Sequence, residues 1–187
     1  MIAANEHEKE ETTMATQKTL IVYYSRTGNT RAVAELIQAK IGGDLVQLKT
    51  TAARPKNYRA EVELNQEEQE NNVLPELETK IPNFANHNRI FIGTPTWNMA
   101  LPQAVVSFLK EHDFADKTVI PFNTNGGYGA GSVFTQIKRE AKGAAVLRGY
   151  SVKGGEEISG RLLVIKGNKK VAVAQEVDHW LSAINVK

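Results

Sequence analysis

The chain contains no cysteine. That absence excludes a disulfide scaffold, thiolate metal sites, iron–sulfur ligation, a cysteine nucleophile and a lipoprotein anchor, so any redox chemistry has to come from a bound cofactor. Long apolar runs are missing as well. None approaches the ~18 residues that cross a bilayer, and the first eighteen residues lack the apolar stretch of a signal peptide. Those residues, 1–18, read as a disordered tail ahead of one domain spanning 19–187. Neither sign of charge dominates: 23 Lys and Arg against 21 Asp and Glu leave +2, too little to argue for nucleic acid. The expectation is a cytoplasmic monomer with no membrane span and no nucleic-acid partner.

What is present is ordinary for a folded domain: 187 residues, 41% hydrophobic and 24% charged. The charge is unevenly spread. Ala60 to Thr79 holds seven Glu and no Lys or Arg, whereas Lys138 to Lys187 holds ten basic residues against five acidic. From Thr19 onward, short β-branched or aromatic runs alternate with segments of helical period. The runs are Leu20 to Tyr24, Leu45 to Leu48, Ile90 to Ile92, Thr118 to Phe122 and one near Val146 to Val152. Helices are expected over Arg31–Ile41, Tyr58–Asn71 (polar and weakly amphipathic), Gln103–His112, Val133–Lys142 and Lys169–Ile184. Trp180 falls on the apolar stripe of the last. Five strands alternating with helices imply an α/β three-layer sandwich around a five-stranded parallel sheet, because every parallel connection needs a crossover. Ligands of such sheets bind beyond the carboxyl ends of the strands.

Three strand-end loops therefore carry the functional reading. After the first strand, Ser25-Arg26-Thr27-Gly28-Asn29-Thr30 opens a helix, where free N–H groups, hydroxyls and the helix dipole converge on a phosphate monoester; a simple N-capping turn is the plainer alternative. After the third strand, Pro95-Thr96-Trp97-Asn98-Met99 offers an indole face for a planar ring, unless the Trp folds back on the next helix. After the fourth, Asn125-Gly126-Gly127-Tyr128-Gly129 lets the backbone approach a flat ligand and adds a second aromatic, unless it is merely flexible. No G-x-x-x-x-G-K-[ST] loop is present, and no G-x-G-x-x-G follows the first strand. His7, His87, His112 and His179 all lie outside the three loops. No metal ligands and no general acid or base are nominated. A terminal phosphate at one end and a planar heterocycle at the other fit FMN.

In these residues the chain resembles the flavodoxin family from Thr19 to its end. Ser25 to Thr30 is similar to the family's [ST]-x-T-G-x-T loop, which implies phosphate contacts from Ser25, Thr27, Asn29 and Thr30 and from the backbone of Arg26 and Gly28. Gly93-Thr-Pro-Thr-Trp-Asn98 is similar to the loop whose Trp packs on the isoalloxazine, a role that passes to Trp97, with Tyr128 covering the other face. The resemblance also implies a peptide of this loop, here Asn98–Met99, that turns over on reduction, and redox partner proteins such as a flavodoxin reductase. The sequence departs from the family in its pI near 8.7 and in lacking acids between Asn123 and Gly131. Gly154 to Ile165 either interrupts the fifth strand or follows it. Two functions remain open: a one-electron carrier, or an FMN-dependent NAD(P)H or quinone oxidoreductase of the same fold.

Overall fold

The computed structural model describes residues 17–187. The expected tail thus falls outside the described residues except at Gln17 and Lys18. Lys18 is already tied to the sheet, its carbonyl accepting the N–H groups of Asn88 and Arg89.

Among the described residues six strands form one parallel sheet: β1 (Thr19–Tyr23), β2 (Asp44–Gln47), β3 (Arg89–Pro95), β4 (Thr118–Asn125), β5 (Ala145–Val146) and β6 (Tyr150–Lys153). The order is β2-β1-β3-β4-β5, with β6 also paired to β4. β5 and β6 are two halves of the expected fifth strand. Val146 pairs with Val119 and Tyr150 with Phe122, so three residues (Leu147, Arg148, Gly149) span two of β4 (Ile120, Pro121). The extra residue bulges out opposite Pro121, which has no N–H to give the ladder. The Gly154 to Ile165 segment follows β6 and leads to the last helix.

Among the described residues four α-helices cross between strands, α1 (Asn29–Ile41), α2 (Tyr58–Glu70), α3 (Gln103–Glu111) and α4 (Val133–Glu140), and a fifth, α5 (Gly167–Ala183), follows β6. Alternation along the strands separates two cores. Leu20, Val22, Ile90 and Ile92 pack with Val105 and Phe108 of α3 and Ile137 of α4, whereas Ile21, Phe91 and Ile120 pack with Ile37 of α1 and Val173, Val177 and Trp180 of α5. Trp180 is core, as its place on the apolar stripe implies, and its indole N–H donates to the Arg148 carbonyl.

β3 and β4 run further than their apolar runs, to Pro95 and Asn125, because polar residues at their ends are buried and paired: Thr94, Asn123 and Thr124. α2 departs furthest from the amphipathic rule. Its buried residues are Glu61, Asn65 and Glu68, a polar stripe at helical spacing where apolar side chains are the norm.

Candidate functional site

The carboxyl ends of β1, β3, β4 and β6 open onto a cleft of about 440 Å³. Fourteen of the sixteen residues nominated from sequence line it; Gly28 and Gly127 do not.

The loop after β1 is shaped by Gly28, whose φ of 93° suits glycine and lets its carbonyl accept the first helical bond, from Ala32 N. The Ser25 hydroxyl oxygen accepts from Gly28 N at 3.2 Å and Arg31 N at 3.4 Å, which leaves its own proton to donate. Among the described residues, the N–H groups of Arg26, Thr27, Asn29 and Thr30 have no acceptor. A row of unpaired donors at a helix N-terminus is an anion site.

Two side chains expected to bind phosphate are instead engaged in holding this loop. Asn29, buried, donates from Nδ2 to Thr27 Oγ1 (2.9 Å) and the Leu162 carbonyl (2.7 Å), while its Oδ1 accepts from Val164 N and Ile165 N. Thr30 Oγ1 pairs with Thr124 Oγ1 at 2.8 Å. Asn29 therefore offers only its backbone to a ligand. The Arg26 guanidinium is likewise engaged within the protein. It bonds Glu157 through Nε (2.8 Å) and Nη2 (2.9 Å), and the carbonyls of Pro55 and Lys56, fastening three segments together.

At the other end stands Trp97, half-buried, with its edge against Tyr24 at 5.4 Å between centroids. Trp97 N bonds the Ala100 carbonyl and Ala100 N the Trp97 carbonyl, closing a turn whose central residues, Asn98 (φ 51°) and Met99 (φ 60°), are both left-handed. Two consecutive non-glycine residues in that region cost about 1–2 kcal/mol each. Bonds on both flanks offset the cost. Gln69 Nε2 donates to the carbonyls of Trp97 (3.1 Å) and Leu101 (2.9 Å), Gln69 Oε1 accepts from Asn98 Nδ2 (3.3 Å), and the Met99 carbonyl accepts from both N and Oγ of Ser132. Gly131 makes the last approach possible, since a Cβ there would lie 2.3 Å from the Met99 oxygen.

The glycine loop is ordered by Asn125, whose Oδ1 accepts from Gly127 N (2.9 Å) and Gly129 N (3.2 Å). Tyr128 is left 85% exposed at the rim. Gly127 turns away, towards Lys153.

Sequence reasoning missed the fourth wall: Gly154, Gly155, Glu156, Glu157 and Ile158, together with Tyr58 at the start of α2 and Thr124. The paired glycines directly after β6 were a usable signal, because they obey the same strand-end rule as the other loops. Gly155 cannot be larger, as a Cβ would meet the Leu162 carbonyl at 1.9 Å. Neither carboxylate here is free. Glu157 is paired with Arg26, and the hydrogen bond from Arg161, with a second from Ser159, holds Glu156 below the usual carboxylate range.

Behind Trp97 lies a second cavity, of about 300 Å³. Arg54 stands there over the indole, 5.9 Å from its centroid. Glu61 takes two of its donors (3.0 and 2.6 Å) and Glu68 a third (2.5 Å). Burial works against the Arg54 charge, but the bonds to Glu61 and Glu68 outweigh it and leave the pKa raised. Burial also pushes the Tyr24 phenol up to about 12. Among the described residues no group of carboxylates and histidines could hold a metal ion, and no helix is long and apolar enough to cross a membrane.

Similar architectures occur among solved structures. A Bacteroides eggerthii protein assigned as a flavoprotein is 26% identical, with a TM-score of 0.69 over 91% of this chain and 99% of that one. A Lactobacillus acidophilus flavoprotein crystallised in complex with FMN is 23% identical, with a TM-score of 0.63 over 78% and 98%. Flavodoxin 2 from Bacillus cereus is 19% identical, with a TM-score of 0.54 over 89% and 98%, and shares the fold. No curated protein sequence matches the chain. The sequence model of the flavodoxin family matches residues 18–159, and with this sheet order and these loops the chain belongs to the flavodoxin family.

Proposed function

We propose that this protein binds FMN in the cleft and passes single electrons between redox partner proteins. The observation that carries the reading is the pairing, within one cleft of about 440 Å³, of unpaired N–H donors at residues 26–30 with the aromatic faces of Trp97 and Tyr128. A phosphate monoester suits the first and a tricyclic ring the second. The backbone of Arg26, Thr27, Asn29 and Thr30, with the hydroxyls of Ser25 and Thr27, holds the phosphate. Pro95 to Met99 and Asn125 to Gly129 flank the ring, with Trp97 on one face and Tyr128 on the other. When bound, FMN supplies reversible electron uptake at a potential the protein sets.

Among the described residues the cleft has no unpaired carboxylate and no histidine in its lining, which suits a carrier with no small substrate to protonate. α2 runs along its edge, with Tyr58 lining the cleft and Gln69 on the Trp97 turn. Despite the basic pI, that helix carries the exposed Glu63, Glu67 and Glu70, which suit a partner with a basic docking face such as a flavodoxin reductase. The cytoplasmic, monomeric setting belongs to the same proposal.

One observation favours an FMN-dependent NAD(P)H or quinone oxidoreductase instead: the Tyr128 side chain, 85% exposed, can swing aside and open one ring face to a hydride donor. An anaerobic reductive titration of the FMN-loaded protein separates the readings. Two resolved one-electron steps and no direct oxidation of NADPH support the carrier; rapid two-electron reduction by NADPH alone supports the enzyme.

A further inference from the structure

α2 presents Glu61, Asn65, Glu68 and Gln69 along one side, the i, i+4, i+7, i+8 spacing of a core-facing stripe, yet all four are polar. Burying such groups costs free energy, and two are imperfectly paired: among the described residues Glu61 Oε2 and Asn65 Oδ1 make no hydrogen bond. Apart from an ion pair between Glu61 and Arg26 (3.6 Å), the partners of the stripe converge on one residue. Glu61 and Glu68 fix Arg54 against the back of the Trp97 indole, while Gln69 fixes the Trp97 carbonyl and both ends of its strained turn. Trp97, with Ser25 and Arg26, lines both the cleft in front and the second cavity behind. The indole's edge packs on Tyr24 and the core, while Arg54 over its face and Gln69 on its carbonyl hold it through polar contacts.

We infer that the polar stripe of α2 is a positioning device for Trp97, with Arg54 and Gln69 as its two contact points, and that it exists for ring binding rather than for stability. Replacing a buried ion network of this kind by apolar residues of similar volume is commonly neutral or stabilising, so a stripe kept for the fold and one kept for the site respond oppositely to the same substitutions. The inference rests on the FMN reading, and the test keeps the two apart.

The experiment compares the wild-type protein, the triple variant Arg54→Met, Glu61→Leu, Glu68→Leu, and the single variant Gln69→Leu. Each is measured for urea unfolding of the FMN-free form, for FMN and riboflavin affinity by flavin fluorescence, and for the Trp97 indole N–H resonance. The expected result is an unfolding midpoint at or above wild type for the triple variant, a shifted or broadened Trp97 resonance in both, and FMN and riboflavin affinities that fall together by tenfold or more. In Gln69→Leu the ratio of the two affinities stays unchanged, because the phosphate loop is untouched; Glu61→Leu in the triple variant also removes an ion pair to Arg26 of that loop (3.6 Å), so the ratio is read from the single variant. The inference is overturned if riboflavin affinity stays within twofold of wild type in both variants, whatever happens to stability. Should the triple variant fail to fold, that too contradicts a stripe dispensable for the fold, and Gln69→Leu still reports on the ring. Wild-type protein that binds neither flavin refutes the FMN reading itself.

Discussion

The two ends of the cleft are built by different means. The phosphate end is one contiguous hexapeptide whose side chains are occupied with one another and with the 162–165 segment, so that its backbone donors are fixed before any ligand arrives. The ring end is assembled from segments far apart in sequence. It contains a turn with two left-handed non-glycine residues and an aromatic, Tyr128, left 85% exposed, and its turn is held from α2 by the Gln69 side chain. The first arrangement suits tight, unchanging anchorage. The second suits adjustment, since small shifts of Trp97 or its turn alter the surroundings of the ring while the anchor stays put.

Glycine substitutions sharpen this contrast most. Gly155→Ala drives a Cβ into the Leu162 carbonyl, whereas Gly129→Ala meets nothing within 4 Å and pays only for its φ of 82°. We expect the first to destabilise by about 2–3 kcal/mol and to abolish FMN binding, and the second to cost about 1 kcal/mol and leave binding measurable; urea unfolding with flavin titration distinguishes them. Next in size, Thr27→Ala removes a donor to a charged group, so FMN should weaken roughly 10- to 100-fold while riboflavin is hardly affected. Equal losses for both flavins would erase the distinction between the ends. Trp97→Ala should instead weaken both flavins alike, by about tenfold, from lost stacking and burial. Tyr128→Ala should cost only a few-fold in affinity and leave unfolding within about 0.5 kcal/mol of wild type, as expected for a side chain 85% exposed.

The smallest effect concerns Tyr24, beneath Trp97. Its phenol stays neutral in the folded protein up to about 12, against 10.0 when unperturbed. The folded state therefore keeps a proton that the unfolded chain gives up, and stability should decline as pH rises through that window. Burial also raises Tyr23 and Tyr150, so ultraviolet titration should show one late-ionising tyrosine fewer in Tyr24→Phe than in wild type.

How much of this was legible in the sequence follows the same division. The sheet and its order of elements were readable because they depend on local period, and the Ser25 to Thr30 loop because it is one contiguous hexapeptide at a strand end. Even so, Asn29 and Thr30 were assigned to the ligand when their side chains serve the loop, for their partners Leu162, Val164, Ile165 and Thr124 are remote. The polar stripe of α2 gave only a weakly amphipathic signal, since a period built from Glu, Asn and Gln does not register as a buried face. The Gly154 to Ile158 wall lay beyond a strand whose bulge at Leu147 to Gly149 blurred its end.

The central claim is that one cleft holds a phosphate at residues 25–30 and a flavin ring at Trp97. It is tested most directly by titrating the purified protein with FMN and, in parallel, riboflavin while following flavin emission. The account predicts saturable one-to-one quenching with FMN bound at least tenfold more tightly than riboflavin, as loss of several charge-assisted bonds requires. Unchanged emission at micromolar concentrations, or identical affinities for the two flavins, would contradict it.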